Sequence, residues 1–418
     1  MAEIVPFRAL HYDLSVVGSL GDVVAPPYDV IDDAERAALS ALSPYNVVDI
    51  DLPRSDGDPY AHAAALLRDW QDTGAIVRDD EAALWAHTQT YLGPDGQQRT
   101  RRGFFCRVAV EEYGAGRIRP HERTHPGPKE DRLRLTRATR ANLSPIFSLY
   151  SDPAEAAWGA LAPATENSPW GEVRDGDGTL HRLWRVSDPR AIRAVQGATR
   201  GVELLIADGH HRYETARVYA EEIGGPGNHR YVLMCLVAME DPGLTVFPTH
   251  RLVRELGAER LQALATTLRR DFELEPVGRE EIAPPPSDGP LSFGYIDAQA
   301  LTPFRATLRD QAIADAALAD RSAAYRQLDS GVLEALILKG ALGYTDDDIS
   351  HLNGFGYARD AAQALALVES GAYDAAFVLR PTPVAQVRRV AASGESMPPK
   401  STYFFPKLLT GLLFNPLA

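Results

Sequence analysis

The segment ADGHHR at positions 207–212 combines residue types that can bind phosphate. It follows the apolar run 201–207, which predicts a buried strand, and it precedes residues 213–223, whose composition predicts a helix. Gly209 lets the main chain approach a ligand, and Arg212 can bind phosphate oxygens through two parallel hydrogen bonds. Because a helix begins with unpaired N–H groups and partial positive charge, this strand, turn and helix predict a phosphate site.

The other polar side chains of this turn suit transfer chemistry. Asp208 is the candidate to hold Mg²⁺ or to orient a substrate hydroxyl. His210 and His211 are candidates to donate to phosphate or to transfer a proton, and of the two we assign His210 a catalytic role. The alternative is a structural turn that Asp208 caps, with two incidental histidines.

A second polar segment, residues 113–145, is basic within an acidic chain. Its lack of apolar period predicts a loop, or a loop entering a helix, with the basic loop at 119–140. A basic segment in an otherwise acidic chain is suited to binding an anion. We expect this segment to form another wall of the phosphate site, with Glu122 as general base and Arg123 and Lys129 as charge stabilisers.

The same segment contains His121 and His125 in the pattern His-Glu-x-x-His, which binds zinc in metalloproteases when it lies on a helix. Pro126 follows the second histidine directly and moves it away from helical backbone angles. The sequence also offers no obvious third zinc ligand. A zinc-dependent hydrolase and a solvated polar loop are therefore the alternatives to a wall of the phosphate site.

Lys400 follows two prolines in the last part of the chain and is a further candidate for phosphate binding, together with the hydroxyl groups at 401–402. An alternative, compatible with the first, is that the aromatic and apolar residues in 403–409 place this segment in the core.

Composition and charge limit the partners. Acidic residues outnumber basic ones by 57 to 43, for a net charge of −14, whereas proteins that bind a nucleic acid backbone usually carry a basic excess. Cys106 and Cys235 lie in apolar runs, which predicts buried thiols. No signal peptide and no apolar run of about 20 residues is visible. We therefore expect a cytoplasmic protein with a nucleotide and a small-molecule substrate, without nucleic acid or membrane, and we leave a homodimer open.

Periodicity predicts an α/β (α+β) fold with mixed sheets. The apolar runs 103–110 and 231–239 predict buried strands, and residues 46–52 predict a short strand. We expect three regions, an N-terminal α/β region with the basic loop, a middle region with ADGHHR and a C-terminal α/β region, at residues 1–150, 151–258 and 259–418.

Residues 207–216, ADGHHRYETA, resemble the motif of the free serine kinases of the ParB/sulfiredoxin-like superfamily. In that superfamily, the ParB-type CTP-binding proteins and the sulfiredoxins carry a loosely related turn with Gly and Arg that grips nucleotide phosphates. Over nearly its whole length the chain also resembles a bacterial and archaeal family labelled domain of unknown function (DUF) 1015. The stretches that carry this second resemblance are 6–10, 24–31, 43–48, 128–132, 142–147 and 397–407.

The first resemblance implies a ParB/sulfiredoxin-like strand–turn–helix phosphate site and, with the clustered charges, favours a nucleotide-dependent phosphotransferase. The implied donor is a nucleoside di- or triphosphate with Mg²⁺, and the implied acceptor is a small hydroxyl metabolite, with free L-serine as first guess. The kinases' catalytic acid has no local counterpart here, so Glu122 is the candidate in its place. The alternatives are a non-catalytic nucleotide-binding regulator like the ParB switches and the zinc-dependent hydrolase. No Gly-x-x-x-x-Gly-Lys-Ser/Thr sequence occurs, which excludes a P-loop.

Overall fold

The computed structural model describes residues 3–113, 116–122, 126–285 and 289–418. The chain divides into two compact units. The first unit contains Met1–Pro120, Thr124–Thr245 and Pro406–Ala418, and the second contains His121–Arg123 and Val246–Phe405. The first unit is therefore discontinuous in sequence, because its last segment follows the whole of Val246–Phe405.

A nine-stranded sheet forms the centre of the first unit. Its pairing is mixed, since Ile146–Tyr150 runs parallel to Tyr231–Ala238 and antiparallel to Leu204–Asp208. This confirms the predicted mixed sheet. In spatial order the strands are Ile118–Arg119, Leu204–Asp208, Ile146–Tyr150, Tyr231–Ala238, Gln98–Ala109, Leu84–Leu92, Leu180–Val186 and Gly171–Arg174, with Ile4–Val5 paired to Gln98–Ala109. Short two-stranded pairs join Leu10–Tyr12 to Ile76–Arg78 and Ala141–Asn142 to Asn415–Pro416.

The main apolar core of the first unit lies on one face of this sheet. Leu84, Phe104 and Met234 belong to it, together with buried side chains of the helices Ala156–Thr165 and Pro189–Ala198. The helices of the first unit are Leu14–Val17, Leu20–Val23, Asp33–Leu42, Val48–Asp51, Pro59–Asp72, Pro126–Thr139, Ala156–Thr165, Pro189–Ala198 and His210–Ile223, with a short 3₁₀ helix at Asn228–Arg230.

The opposite face of the sheet carries buried polar side chains, because successive residues of a strand alternate between faces. Gln89 and Arg101 are opposite each other on neighbouring strands. The rings of His87 and His181 stack with their centroids 5.5 Å apart, and Nδ1 of His87 lies 3.9 Å from Sγ of Cys235. This polar face is the one that supplies side chains to the candidate site described below.

The second unit is built on a six-stranded sheet whose paired strands are antiparallel. In spatial order its strands are Phe272–Pro276, Phe304–Leu308, Ser292–Asp297, Ala375–Leu379, His250–Val253 and Phe355–Ala358. The helices of this part are Ala258–Asp271, Arg279–Glu281, Gln311–Ala317, Tyr325–Gln327, Asp329–Leu333, a π-helix at Glu334–Ala341, Asp346–His351, Ala361–Glu369 and Val384–Ala392. Two further short strands are Thr245–Phe247 and Tyr403–Phe405.

One prediction of local structure is wrong. Residues 46–52 contain the helix Val48–Asp51 instead of a strand, because the Asn46 side chain accepts a hydrogen bond from the Val48 N–H at 3.0 Å and starts a helical turn. The basic segment takes the second of its two predicted forms, a loop entering a helix, and the helix is Pro126–Thr139, since proline suits the first turn of a helix.

The two cysteines lie in the environment predicted from the sequence. Cys106 and Cys235 are buried free thiols, as predicted. Within the described ranges, no helix has the length and apolar character needed to cross a membrane. Strands from the first two predicted regions share the nine-stranded sheet.

Candidate phosphate site

The ADGHHR segment joins a buried strand to a helix in the first unit. The strand Leu204–Asp208 ends at the acid, and the helix His210–Ile223 begins one residue after Gly209. Gly209 has a φ of 97°, in the region that favours glycine. A Cβ at this position would lie 3.0 Å from Nε of Arg212 and 3.1 Å from its Cζ. Glycine is therefore required both by the backbone and by the guanidinium that packs against it.

The carboxylate of Asp208 binds two cations. Its Oδ1 accepts a hydrogen bond from Nζ of Lys407 at 2.5 Å, and its Oδ2 accepts one from Nη2 of Arg212 at 2.5 Å. All three side chains are mostly buried, with exposures of 17%, 18% and 10% for Asp208, Lys407 and Arg212. These three side chains together carry one net positive charge at the start of a helix, where an anion is favoured.

The pKa shifts agree with this geometry. Burial acts to raise the pKa of Asp208, but Lys407 and Arg212 outweigh it and hold the pKa of this carboxyl well below its usual range. For Arg212, burial acts to lower the pKa of the guanidinium, and Asp208, Asp29 and Tyr28 raise it above the ordinary value. Asp208 is therefore ionised and Arg212 is charged throughout the range in which proteins usually work.

A buried arginine holds the main chain that carries Lys407. Nη2 of Arg101 donates to the carbonyl oxygen of Pro406 at 2.6 Å, and Nε donates to Oε1 of Gln89 at 3.0 Å. Nε2 of Gln89 in turn donates to the Lys407 carbonyl oxygen at 2.9 Å. The Arg101 guanidinium stacks over the Phe147 ring, 4.4 Å from its centroid. These contacts fix the backbone at Pro406 and Lys407 against the sheet.

Arg212 makes a second anchoring contact and keeps one donor without a partner. Its Nη1 donates to the carbonyl oxygen of Pro145. Its Nε is buried and has no hydrogen-bond partner among the described residues. Because a buried donor without a partner is costly, the position of the Arg212 side chain carries a local cost in stability.

A metal role for Asp208 does not fit the arrangement that the structure shows. Both of its oxygens accept from cationic side chains. Across the described ranges, no group of three or more His, Cys, Asp or Glu side chains is placed to hold a metal ion. Asp208 here orients Lys407 and Arg212, so we derive no step through Mg²⁺.

The remaining predicted residues fall into two groups. In the first unit, His210 is buried near Asp208 and acts to lower the pKa of that carboxyl, His211 is half-buried, and Lys129 lies in the first turns of the helix Pro126–Thr139. In the second unit, Oε1 of Glu122 lies 3.5 Å from the backbone N of Lys400. Lys400 has a φ of 52° and its ammonium lies 5.1 Å from the Tyr357 ring centroid. Arg123 lies outside the described residues.

The His-Glu-x-x-His pattern is only partly described. His121 and Glu122 come before the helix that begins at Pro126, and His125 lies outside the described residues. Nε2 of His121 lies 3.0 Å from Oγ1 of Thr402. The described half of the pattern therefore lacks the helical geometry that zinc binding from this motif requires.

Sequence reasoning missed two cations of the site. Lys407 lies within the stretch 397–407 that carried the family resemblance, but a lysine 199 positions from its carboxylate gives no local signal. Arg101 lies in a strand next to an apolar run, and its buried position depends on the alternation of the strand.

The structure shows a mixed α/β protein with a candidate anion site at a strand–turn–helix junction. The chain belongs to the family described as protein of unknown function, DUF1015, whose profile matches residues 4–330. Among curated proteins, nothing matches the chain.

Several solved structures are similar to part of the chain. A conserved hypothetical protein from Pyrococcus furiosus is 15% identical, with 69% of this chain and 87% of that chain covered and a TM-score of 0.34. A free serine kinase in complex with AMP is 13% identical, with 69% and 83% covered and a TM-score of 0.35. SbnI with a C-terminal truncation, from Staphylococcus aureus, is 12% identical, with 73% and 85% covered and a TM-score of 0.38. At these values the similarities carry no argument about function.

Proposed function

We propose that the chain is a nucleotide-dependent phosphotransferase that acts on a small hydroxyl metabolite. The observation that carries this proposal is the contact of Asp208 with both Lys407 and Arg212 at the start of a helix. Phosphoryl transfer depends mainly on positioning and on neutralising the charge of the transferred group. Two oriented cations at the positive end of a helix provide both.

In this proposal Asp208 is the orienting residue. It keeps the Arg212 guanidinium and the Lys407 ammonium at one place, where both can contact the oxygens of a phosphate. The absence of a side chain at Gly209 keeps the Arg212 guanidinium in that position. Arg101 and Gln89 act through the backbone of Lys407. Glu122 as the base and His210 as a proton-transfer group stay predictions from the sequence.

The acceptor and the donor are proposed from the motif. The likeness of residues 207–216 to the free serine kinases makes free L-serine the first acceptor to test and a nucleoside di- or triphosphate the donor. Mg²⁺ would then enter with the nucleotide, as it does where phosphates supply most of its ligands.

Phosphorus NMR tests the proposal. Purified full-length protein is incubated with Mg²⁺, each of ATP, ADP, CTP and GTP, and a set of hydroxy amino acids. We expect a new phosphomonoester signal that is lost in Arg212→Met and Lys407→Met and kept in Lys339→Met. Lys339 is a suitable control because it also binds two carboxylates, Glu334 at 2.8 Å and Asp346 at 2.7 Å, in the second unit. If the nucleotide signals shift but no phosphate is transferred, the result would support a nucleotide-binding regulator instead of an enzyme.

A further inference from the structure

The segment 25–30 is held next to the segment that carries Lys407. The N–H of Ala25 donates to the carbonyl oxygen of Thr410 at 3.1 Å, and the N–H of Thr410 donates to the carbonyl oxygen of Ala25 at 2.9 Å. These two hydrogen bonds form an isolated antiparallel bridge shortly after Lys407 in the chain. The segment 25–30 therefore begins within a few residues of the candidate phosphate site.

A β-turn in this segment contains Tyr28 and Asp29. The N–H of Val30 donates to the carbonyl oxygen of Pro27 at 3.1 Å, which makes Tyr28 and Asp29 the two central residues of the turn. The Tyr28 ring packs against the guanidinium of Arg132, whose Cζ lies 4.4 Å from the ring centroid. This contact positions the turn against the helix Pro126–Thr139, while Asp29 stays exposed to solvent.

Three carboxylates act on Arg212, and they differ in what they already bind. Burial acts to lower the pKa of the Arg212 guanidinium, and the carboxylates that act to raise it are those of Asp208, Asp29 and Asp51. Both oxygens of Asp208 accept from cationic side chains, and Asp51 is 3% exposed and accepts from Arg132. The Asp29 side chain forms no hydrogen bond or ion pair with any residue that the structure describes. Of the three, Asp29 is therefore the carboxylate whose oxygens are open to a ligand.

A divalent cation fits Asp29 better than it fits Asp208. The Mg²⁺ of a bound nucleotide is held mainly by the phosphates and by one or two protein carboxylates, with water in the remaining positions. One exposed carboxylate close to a phosphate site is enough for such binding, and a cluster of acids is not required. Asp29 meets this condition, whereas the oxygens of Asp208 already accept from Lys407 and Arg212.

We propose that Asp29 holds the divalent cation of a metal–nucleotide whose phosphates contact Arg212 and Lys407. This role rests on the proposed phosphotransferase function, because the cation enters with the nucleotide that the function requires. When bound, the cation supplies neutralisation and orientation of the phosphates. Arg212 and Asp29 then bind different parts of one ligand, since the guanidinium suits the phosphate oxygens and the carboxylate suits the metal.

The affinity for ADP with and without metal tests the role of Asp29. Calorimetry is carried out on the full-length protein, without an acceptor, with ADP in saturating Mg²⁺ and with ADP in EDTA. In Asp29→Asn the Kd for Mg-ADP should rise by about tenfold or more, since loss of even an outer partner of a metal ligand lowers metal affinity by about 10- to 100-fold. The Kd for ADP in EDTA should stay the same or fall, because the neutral side chain no longer repels the phosphates. A rise of both constants would assign Asp29 a structural role and overturn the proposal.

Asp22→Asn is the matched control. Asp22 is also exposed, and its side chain has no hydrogen bond or ion pair within the described ranges. It lies in the helix Leu20–Val23 of the first unit, before the turn that contains Asp29. Both dissociation constants should remain at the wild-type values in this variant. Equal affinity for Mg-ADP in Asp29→Asn and Asp22→Asn would overturn the proposal.

Phosphorus NMR with the same variants separates the metal role from the proposed function. Binding of Mg-ADP that depends on Asp29, without transfer to any hydroxy amino acid, refutes the phosphotransferase alone. Transfer with an unchanged rate and an unchanged KM for the Mg-nucleotide in Asp29→Asn refutes the metal role alone. If ADP binds neither with Mg²⁺ nor in EDTA, both proposals are refuted.

Discussion

Nζ of Lys407 lies 2.5 Å from Oδ1 of Asp208, although 199 positions separate the two residues in the chain. In Lys407→Met, Asp208 should keep its ion pair with Arg212 and lose its ion pair with Lys407. Loss of an oriented charge in a site of this kind lowers rates by about 100- to 1,000-fold. Initial rates of transfer, measured by phosphorus NMR, should show this loss. A rate equal to that of Lys339→Met would show that Lys407 takes no part in phosphoryl transfer.

Gly209→Ala should displace the Arg212 guanidinium, because the new Cβ would lie 3.0 Å from Nε. The left-handed backbone adds a cost of about 1–2 kcal/mol to folding. Gly224 is a matched control at the other end of the same helix, with a φ of 66° and no atom closer than 4.0 Å to an added Cβ. With a ψ of 176°, Gly224 lies in a region essentially restricted to glycine, so Gly224→Ala should lose at least as much stability in urea unfolding and keep nucleotide binding, whereas Gly209→Ala should lose both. Equal nucleotide affinity in the two variants would contradict the packing argument.

Arg101→Met tests the positioning of Lys407. The guanidinium is buried, and burial lowers its pKa to about 10, so an apolar side chain of similar length removes the cost of burying the charge but leaves the acceptors at Gln89 and Pro406 unpaired. Without its hydrogen bonds to Pro406 and Gln89, the backbone of Lys407 is less fixed. We expect kcat to fall by about tenfold with a smaller change in the KM for the nucleotide. A change confined to the melting temperature would show that Arg101 is purely structural.

Glu122→Gln tests the base predicted from sequence. The substitution removes the carboxylate and retains an oxygen that can accept from the backbone N of Lys400, as Oε1 of Glu122 does at 3.5 Å. Transfer should fall by about 100- to 10,000-fold, the usual contribution of a general base. Nucleotide affinity, measured by calorimetry, should remain. A normal rate would remove Glu122 from the list of catalytic residues.

Stability should fall in mild acid because of His250. Burial lowers the pKa of this ring to about 4 from 6.5, and its Nδ1 accepts the N–H of Leu379 at 3.1 Å. Since the unfolded chain binds the proton more readily, the stabilisation is present above pH 6.5 and is lost as the pH falls toward 4. This one group accounts for about 3 kcal/mol. Urea unfolding of His250→Asn, which keeps an acceptor but does not titrate, should show a weaker dependence on pH than the wild type over this range.

Local sequence signals predicted the centre of the site and missed its distant parts. The strand and the helix around Asp208 and Arg212 can be predicted from the sequence, because the apolar run, the glycine and the helix-forming residues are consecutive. Lys407 and Arg101 reach the same carboxylate region only through tertiary structure. Residues 46–52 are predicted as a strand, since Val47, Val48 and Ile50 have β-branched side chains. In the structure they contain the short helix Val48–Asp51, whose first N–H donates to the Asn46 side chain.

The discontinuity of the first unit sets an order of events during synthesis. Asp208 and Arg212 leave the ribosome before residues 246–405, and Lys407 follows only afterwards. At about 5–20 residues per second, the 199 positions between Asp208 and Lys407 correspond to a delay of about 10 to 40 seconds. During this interval the nascent chain holds an acid and an arginine without the lysine that completes them. The Asp208–Lys407 ion pair can therefore form only after the second unit has been synthesised, and a chain interrupted before residue 407 would lack it.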